Sequence, residues 1–266
     1  MPRLIGTRNE TSLHRDLKFT YAGEEGRTEA EVDGFVADGI SANGEFIEVQ
    51  TANFAALRKK ITKFTEQGKL RIIYPVIITK YIEVFDADGE RLYRRKSPRR
   101  GSPWDIFNEF IYAPDLPLIP RCTIELALVD ACEQRVRDGK GSWWRKGLSI
   151  RDRQLITVHE RICLKKPSDY RRFIPFEYDQ EFTTANLAEK AGISHVLARR
   201  TLYVLTKLDM VQRTGKQRNA FVYQLIMPEK TSKKPLNSSM KKNQPRKTRR
   251  EERENDKNNE NVGEIG

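Results

Sequence analysis

The stretch Glu31-Val-Asp-Gly-Phe-Val-Ala-Asp-Gly-Ile-Ser-Ala-Asn-Gly-Glu-Phe-Ile-Glu-Val-Gln50 decides the fold. It predicts two strands joined by a tight turn at Ser41-Ala-Asn-Gly44, because β-branched and aromatic residues flank a cluster of turn formers. Asp33 follows Val32 on the first strand and Glu48 lies between Ile47 and Val49 on the second, so both carboxylates fall in apolar, strand-forming surroundings. A carboxylate buried there protonates, finds a cation or ligates a metal. Two of them on adjacent strands make a hard-oxygen site of the kind Mg2+ prefers. Side chains alternate along a strand, so Gln50 points the same way as Glu48. The competing reading is two surface hairpin acids with no shared role.

Asp33 followed by Glu48-Val-Gln50 resembles the signature of the PD-(D/E)XK nuclease superfamily, with Gln standing where the family has Lys. Glu10, in Asn9-Glu-Thr-Ser-Leu-His14, fits the acidic residue that the family's preceding helix often carries. The resemblance covers roughly residues 7–85 and is nearest to archaeal-type Holliday-junction resolvases and some restriction endonucleases. It implies an α/β fold, a mixed central sheet flanked by helices of the restriction-endonuclease kind, and phosphodiester hydrolysis assisted by Mg2+ or Mn2+. Asp33, Glu48 and the Val49 carbonyl, with Glu10, would hold the ion. Gln50 would orient the attacking water or fill a ligand position, but it cannot supply positive charge as Lys would. In this superfamily a missing motif lysine is sometimes replaced from the following helix, which makes Lys60 or Arg58 the charge stabiliser.

Composition narrows the partner class. The chain of 266 residues carries 49 Lys+Arg against 37 Asp+Glu, a net charge of +12. Residues 230–266 hold 11 Lys+Arg and 6 Asp+Glu, which leaves 38 against 31 in the rest, so the part before this tail is basic in its own right at +7. DNA is the expected partner, since neutralising phosphate is what such a surface does best. Cys122, Cys132 and Cys163 lack CxxC spacing, which argues against a disulfide framework and a zinc site. No apolar run approaches a membrane span, and Met1-Pro-Arg-Leu-Ile-Gly6 begins no signal peptide, so a cytoplasmic location without membrane attachment is expected. No P-loop or dinucleotide fingerprint is present.

Around the central stretch, the spacing predicts a helix over 8–20, capped by Thr7 or Asn9, with Glu10 and His14 one turn apart on one face. For Glu10 the alternative is a first-turn acid favoured by the helix dipole. A second helix is expected between Asn53 and Gly68 on a stripe of Phe54, Leu57, Ile61 and Phe64, then a strand over 71–79 buried on both faces. Asp86-Ala-Asp-Gly89 signals a hairpin, Arg94–Gly101 is a basic loop, and 104–110 reads as a short helix. Within 121–166, Thr123–Val129 alternates like a strand, with a helix running through Val136 as the alternative; the favoured reading is a strand pair whose basic tip, Arg135 to Lys146, contains Trp143 and Trp144, either as base contacts or as core tryptophans.

Thr183–Gly192, a helix from Ser194 to about Leu208 and two strands over 211–225 resemble a winged helix-turn-helix module. Arg199, Arg200, Tyr203 and Lys207 would face DNA from the helix, and Arg213, Lys216 and Arg218 from the wing. A protein-binding winged helix is the alternative. The expected domains are 1–120, nuclease-like; 121–180, a strand-rich connector; 181–228, the winged helix; and 229–266, a disordered polar tail. A nuclease domain followed by a winged helix is similar in architecture to the end-cleaving subunits of some transposition machines. The expected function is a metal-dependent DNA endonuclease, a homodimer where both strands are cut. The alternative is a non-catalytic DNA-binding regulator on an inert nuclease-like scaffold.

Overall fold

The structure, a computed structural model, describes residues 10–227. The caps expected at Thr7 or Asn9 and the tail expected over 229–266 lie outside those residues. The chain is α/β: a large mixed sheet flanked by helices, followed by a small α+β unit. Helix α1 (Ser12–Ala22) leads into β1 (Arg27–Val32), β2 (Phe35–Ile40) and β3 (Phe46–Val49). Helix α2 (Arg58–Gln67) then crosses to β4 (Leu70–Phe85). After β5 (Arg91–Lys96) and the short α3 (Phe107–Phe110) come two long strands, β6 (Cys122–Arg137) and β7 (Leu148–Leu164). The order is β1-β2-β3-β4-β6-β7, with β5 on the far part of β4. β3, β4 and β6 run parallel, and the remaining pairs are antiparallel.

The two helices cover opposite faces because strand side chains alternate. Leu13 and Leu17 of α1 pack on Ile47, Val49, Ile73, Ala127 and Val129. On the other face Leu57, Ile61 and Phe64 meet Phe46, Ile72 and Tyr74, with Phe46 and Phe64 stacked 4.9 Å apart. β4 is apolar on both faces through residues 72–76, as a strand covered twice must be.

Three expectations change. The leading strand of the 31–50 stretch is two strands, turning at Asp33-Gly34, where both residues have positive φ (48° and 77°). Asp-Gly with two left-handed residues is the tight turn that matches strand twist. The expected boundary at 120/121 also disappears. β6 pairs with β4 from Leu70↔Cys122 to Phe85↔Val136, so 121–164 belongs to the same sheet rather than to a connector. Helix α1 begins at Ser12, with residues 10 and 11 outside it, and its Ser12 N–H donates to Asp152 of β7 at 2.9 Å.

At the C-terminal end, α4 (Thr184–Ala191) and α5 (His195–Lys207) precede β9 (Val211–Gln217) and β10 (Ala220–Leu225). β10 pairs with both β9 and the short β8 (Phe182–Thr183). Thr183 and Ser194 cap the two helices through their side chains, and Gly192 closes α4 in a left-handed conformation. This unit shares the core that holds the α2 face of the sheet, through Leu187, Leu202 and Leu205.

Candidate active site

The site forms where β2 and β3 part. Their ladder holds only at Gly39↔Ile47 and Ile40↔Phe46. One residue further on, the Val49 N–H donates to the Asp38 carboxylate at 2.8 Å instead of to a backbone carbonyl. Asp38 thereby fills the split between the strands and turns towards α1. There His14 Nε2 stands 2.7 Å from the Val49 carbonyl and 3.4 Å from Asp38, while His14 Nδ1 stands 2.7 Å from Glu10. Lys18, one further turn along, reaches Glu10 at 2.9 Å, Asp38 at 3.1 Å and Glu29 at 3.1 Å. The helix thus presents one face of 14 and 18 to carboxylates at its start and on the sheet.

The charges hold one another in the ionised state. Burial alone would lower the His14 pKa, but the carboxylates of Asp38 and Glu10 and the Val49 carbonyl outweigh it and lift it to about 9. Burial works equally against Asp38, yet His14, the Val49 N–H and Lys18 hold it below the usual carboxylate range. Burial is likewise overcome at Glu10, held low by His14 and Lys18, and at Lys18, pushed up by Glu10, Asp38 and Glu29.

Glu48 behaves differently. It lies on the α2 side of β3, and Lys60 comes from α2 to donate to its Oε1 at 2.7 Å. Oε2 is 2.6 Å from the same nitrogen but outside hydrogen-bond geometry, and as a buried oxygen it accepts from no group among the described residues. Burial first, and the charge of Asp38 second, push the Glu48 carboxyl up, with Lys60 offsetting part of the effect. An oxygen with spare lone pairs that feels the charge of Asp38 has the chemistry of a hard-cation ligand. Among the described residues no cluster of three His, Cys, Asp or Glu is placed to hold a metal.

A cleft of about 740 Å³ is lined by His14, Lys18 and Asp38 together with Lys80, Arg99 and Arg153. Glu48 and Lys60 do not line it. They pair with each other on the α2 side of β3. Lys80 and Arg153 are anchored on buried Glu133, which binds Arg135 at 2.6 Å, Arg153 at 3.0 Å and Lys80 at 3.7 Å.

Most of the expected residues gather here, and some do not. Glu10 joins the Val49 carbonyl through His14 on the α1 side, and Glu48 pairs with Lys60 on the α2 side. Asp33 does not, because it occupies the exposed β1–β2 turn and is bonded to Gln67. Asp38, five residues later, holds the place expected for it. Glu10 precedes the helix instead of decorating its first turn. Gln50 turns its amide to the Ala52 carbonyl, away from Glu48. Arg58 is held by Asp115 at 2.6 Å and takes no part. On the C-terminal unit, Arg199, Tyr203 and Lys207 are exposed on α5, and Arg213, Lys216 and Arg218 on the β9–β10 hairpin. Arg213 lies 4.2 Å over Phe221, and Lys216 lies 5.0 Å from the same ring. Arg200 departs from the expectation of a free cation. It is half-buried and donates to Asn108 at 2.6 Å, tying α5 to α3.

Two members of the site escaped the sequence reading, and both had signals. Asp33-Gly34 is a hairpin turn signature in its own right, and reading it so leaves Asp38 as the strand acid opposite Glu48. Lys18 follows Glu10 and His14 at successive steps of four, the spacing of one helix face.

Residues 11–165 match the family model described as a domain of unknown function (DUF8091). An uncharacterized protein from Treponema pallidum (strain Nichols) is 32% identical over 154 residues, 58% of this chain and 61% of that relative. The chain therefore spans about three fifths of that relative's length. The matched segment contains every residue of the strand-split site except Glu10. No solved structure matches.

Proposed function

We propose that this chain, which belongs to the DUF8091 family, is a divalent-metal-dependent DNA endonuclease with a PD-(D/E)XK-type site. The observation that carries the reading is Asp38 in the strand split beside Glu48-Val49, with an unsatisfied Glu48 oxygen and Lys60 delivered by the next helix. The order helix, three antiparallel strands, helix, parallel strand agrees with the restriction-endonuclease arrangement. The α4–α5 pair with its basic β9–β10 hairpin supports a winged helix-turn-helix reading, in which Arg199, Tyr203, Lys207, Arg213, Lys216 and Arg218 meet phosphate and groove.

Asp38, Glu48 and the Val49 carbonyl would hold Mg2+ or Mn2+, which supplies a water of lowered pKa and neutralises charge on the reacting phosphate. Lys60 carries the positive charge that Gln50 cannot. It balances Glu48 from the α2 side of β3. Glu10 keeps His14 and Lys18 oriented on Asp38 and so fixes its carboxylate in the split. Lys80, Arg99 and Arg153 of the same cleft would bind the flanking phosphates.

A second reading, a DNA-binding regulator on an inert scaffold, draws on one observation. His14 already satisfies the Val49 carbonyl, and His14 and Lys18 already neutralise Asp38. Incubating supercoiled plasmid and a labelled four-way junction with the protein in Mg2+, Mn2+ or EDTA separates the two readings. The nuclease reading expects metal-dependent nicking or cutting that Glu48→Gln abolishes. Binding that is equal with and without metal, with no cutting under either ion, establishes the regulator instead.

A further inference from the structure

Two of the three tryptophans of this chain stand in water. Trp143 and Trp144 are 81% and 86% exposed at the tip of the β6–β7 hairpin, while Trp104 packs edge-on against Phe173. An aromatic side chain buries on the order of 150–250 Å² when it finds a partner, and these two find only each other, edge to face at 4.8 Å. The sequence left open whether they belong to the core. Burial excludes it.

The tip is built to hold them out. The Arg145 N–H donates to the Ser142 carbonyl at 2.9 Å and the Lys146 N–H to Trp143 at 2.8 Å, while the Gly141 N–H closes the turn on Gly147 at 3.0 Å. Lys146 takes a left-handed φ of 53°, and any side chain at Gly141 would collide with the Leu148 carbonyl. Asp138, the acid of this turn, is engaged by the Lys140 N–H and the Ser149 hydroxyl. Arg137, Lys140, Arg145 and Lys146 belong to the same end of the hairpin.

The charge continues down the sheet. Phe85 pairs with Val136 on one side and Arg91 on the other, so β5, with Arg91, Arg94, Arg95 and Lys96 exposed, ends beside the tip. Further along the same strands come Lys80 and Arg153 of the cleft. Basic residues, some of them paired with Glu83 and Glu133, thus lie on the strands between the cleft and the exposed indoles.

We propose that Trp143 and Trp144 form a stacking wedge for unpaired bases, so that the preferred DNA carries a single-stranded end, flap or branch rather than being a continuous duplex. The proposal rests on DNA being the partner. Every base offers a flat face to an indole, but a base within an intact duplex has both faces taken. An anionic membrane would attract the same residues. The neighbouring turn, with Asp86, Asp88 and Glu90 at the same end of the sheet, opposes a broad anionic plane and leaves room for a narrow strand.

The test uses the full chain with Trp104→Phe, so that fluorescence reports on the tip alone, titrated in EDTA with a blunt duplex and with the same duplex carrying a single-stranded extension. The extended DNA is expected to quench the emission and to bind more tightly. Trp143→Ala/Trp144→Ala should weaken the extended DNA by about 10- to 100-fold and leave the blunt duplex unchanged, with no change in melting temperature. Unquenched emission, or equal binding of both DNAs by the double variant and the parent, overturns the wedge while DNA as the partner stands. Absence of binding to either DNA overturns both. Quenching or a blue shift with phosphatidylserine vesicles but not with DNA assigns the tip to a lipid surface and overturns the wedge.

Discussion

Glu48 and Glu125 are buried carboxylates of one sheet, 5% and 1% exposed, and their surroundings treat them in opposite ways. Glu125, on β6, faces α1 and is saturated. Tyr21 donates to it at 2.5 Å, Arg71 and the Cys163 thiol also bind it, and Arg71 is held in turn by Glu45 at 2.9 Å. Against its burial, these partners keep the Glu125 carboxyl below the usual range. Glu48 has one cation, one oxygen that accepts nothing and a second carboxylate beside it, and it is pushed up. A fully paired acid stabilises the fold and has nothing left to offer a ligand. An under-paired one costs stability and keeps lone pairs available, which is the state expected of a group reserved for chemistry.

Breaking the saturated acid should have the largest effect on folding. Glu125→Ala takes this carboxylate from half-buried Tyr21 and Arg71, leaving Arg71 with Glu45 alone, and denaturant unfolding should show a loss of about 3 kcal/mol. Tyr21→Phe removes a single hydrogen bond to the same carboxylate and should cost roughly 1.5–3 kcal/mol in the same assay.

His14 gives the comparison a pH axis. Its folded pKa, about 9, stands above the ordinary 6.5, so its contribution is fully present below about pH 6.5 and is lost as pH rises through 9. The part of unfolding free energy that Phe in place of His14 removes should shrink by on the order of 2 kcal/mol between pH 6 and pH 9.5. A difference that does not change with pH would mean that His14 is neutral in the fold.

The smallest folding effect is expected at Glu48. A carboxyl raised in the folded state loses stability on ionising, in the window above its ordinary pKa of about 4.5. Glu48→Gln removes that penalty, frees Lys60 to reach water and should leave unfolding at pH 8 within about 1 kcal/mol of the parent, or slightly above it. A loss as large as that of Glu125→Ala would erase the contrast between the two acids.

Much of this was legible in the sequence, for identifiable reasons. The α2 stripe, the apolar run of β4, the Asp86–Gly89 hairpin and the capped helices α4 and α5 rest on local periodicity and turn chemistry, and each appears near its expected bounds. Glu48 and Lys60 were legible because a charged residue between apolar strand residues needs a partner. Asp38 was obscured by Asp33, whose turn conformation depends on the pairing Val32↔Phe35, and by Gly39 after it, which imitates a turn. The contact of His14 with the Val49 carbonyl joins positions 35 apart and has no local signal. The exposure of Trp143 and Trp144 runs against the ordinary preference of indoles for the interior, so only the fold could reveal it.

The central claim is that Asp38, and not Asp33, completes the metal-binding acids with Glu48. Cleavage of supercoiled plasmid in Mg2+ by Asp38→Asn and Asp33→Asn, side by side with the parent protein, tests it most directly. The account predicts cutting by the parent and by Asp33→Asn at similar rates, and a fall of at least about a thousandfold, some 4 kcal/mol in barrier, for Asp38→Asn. Undiminished cutting by Asp38→Asn, or loss of cutting in Asp33→Asn alone, would contradict it.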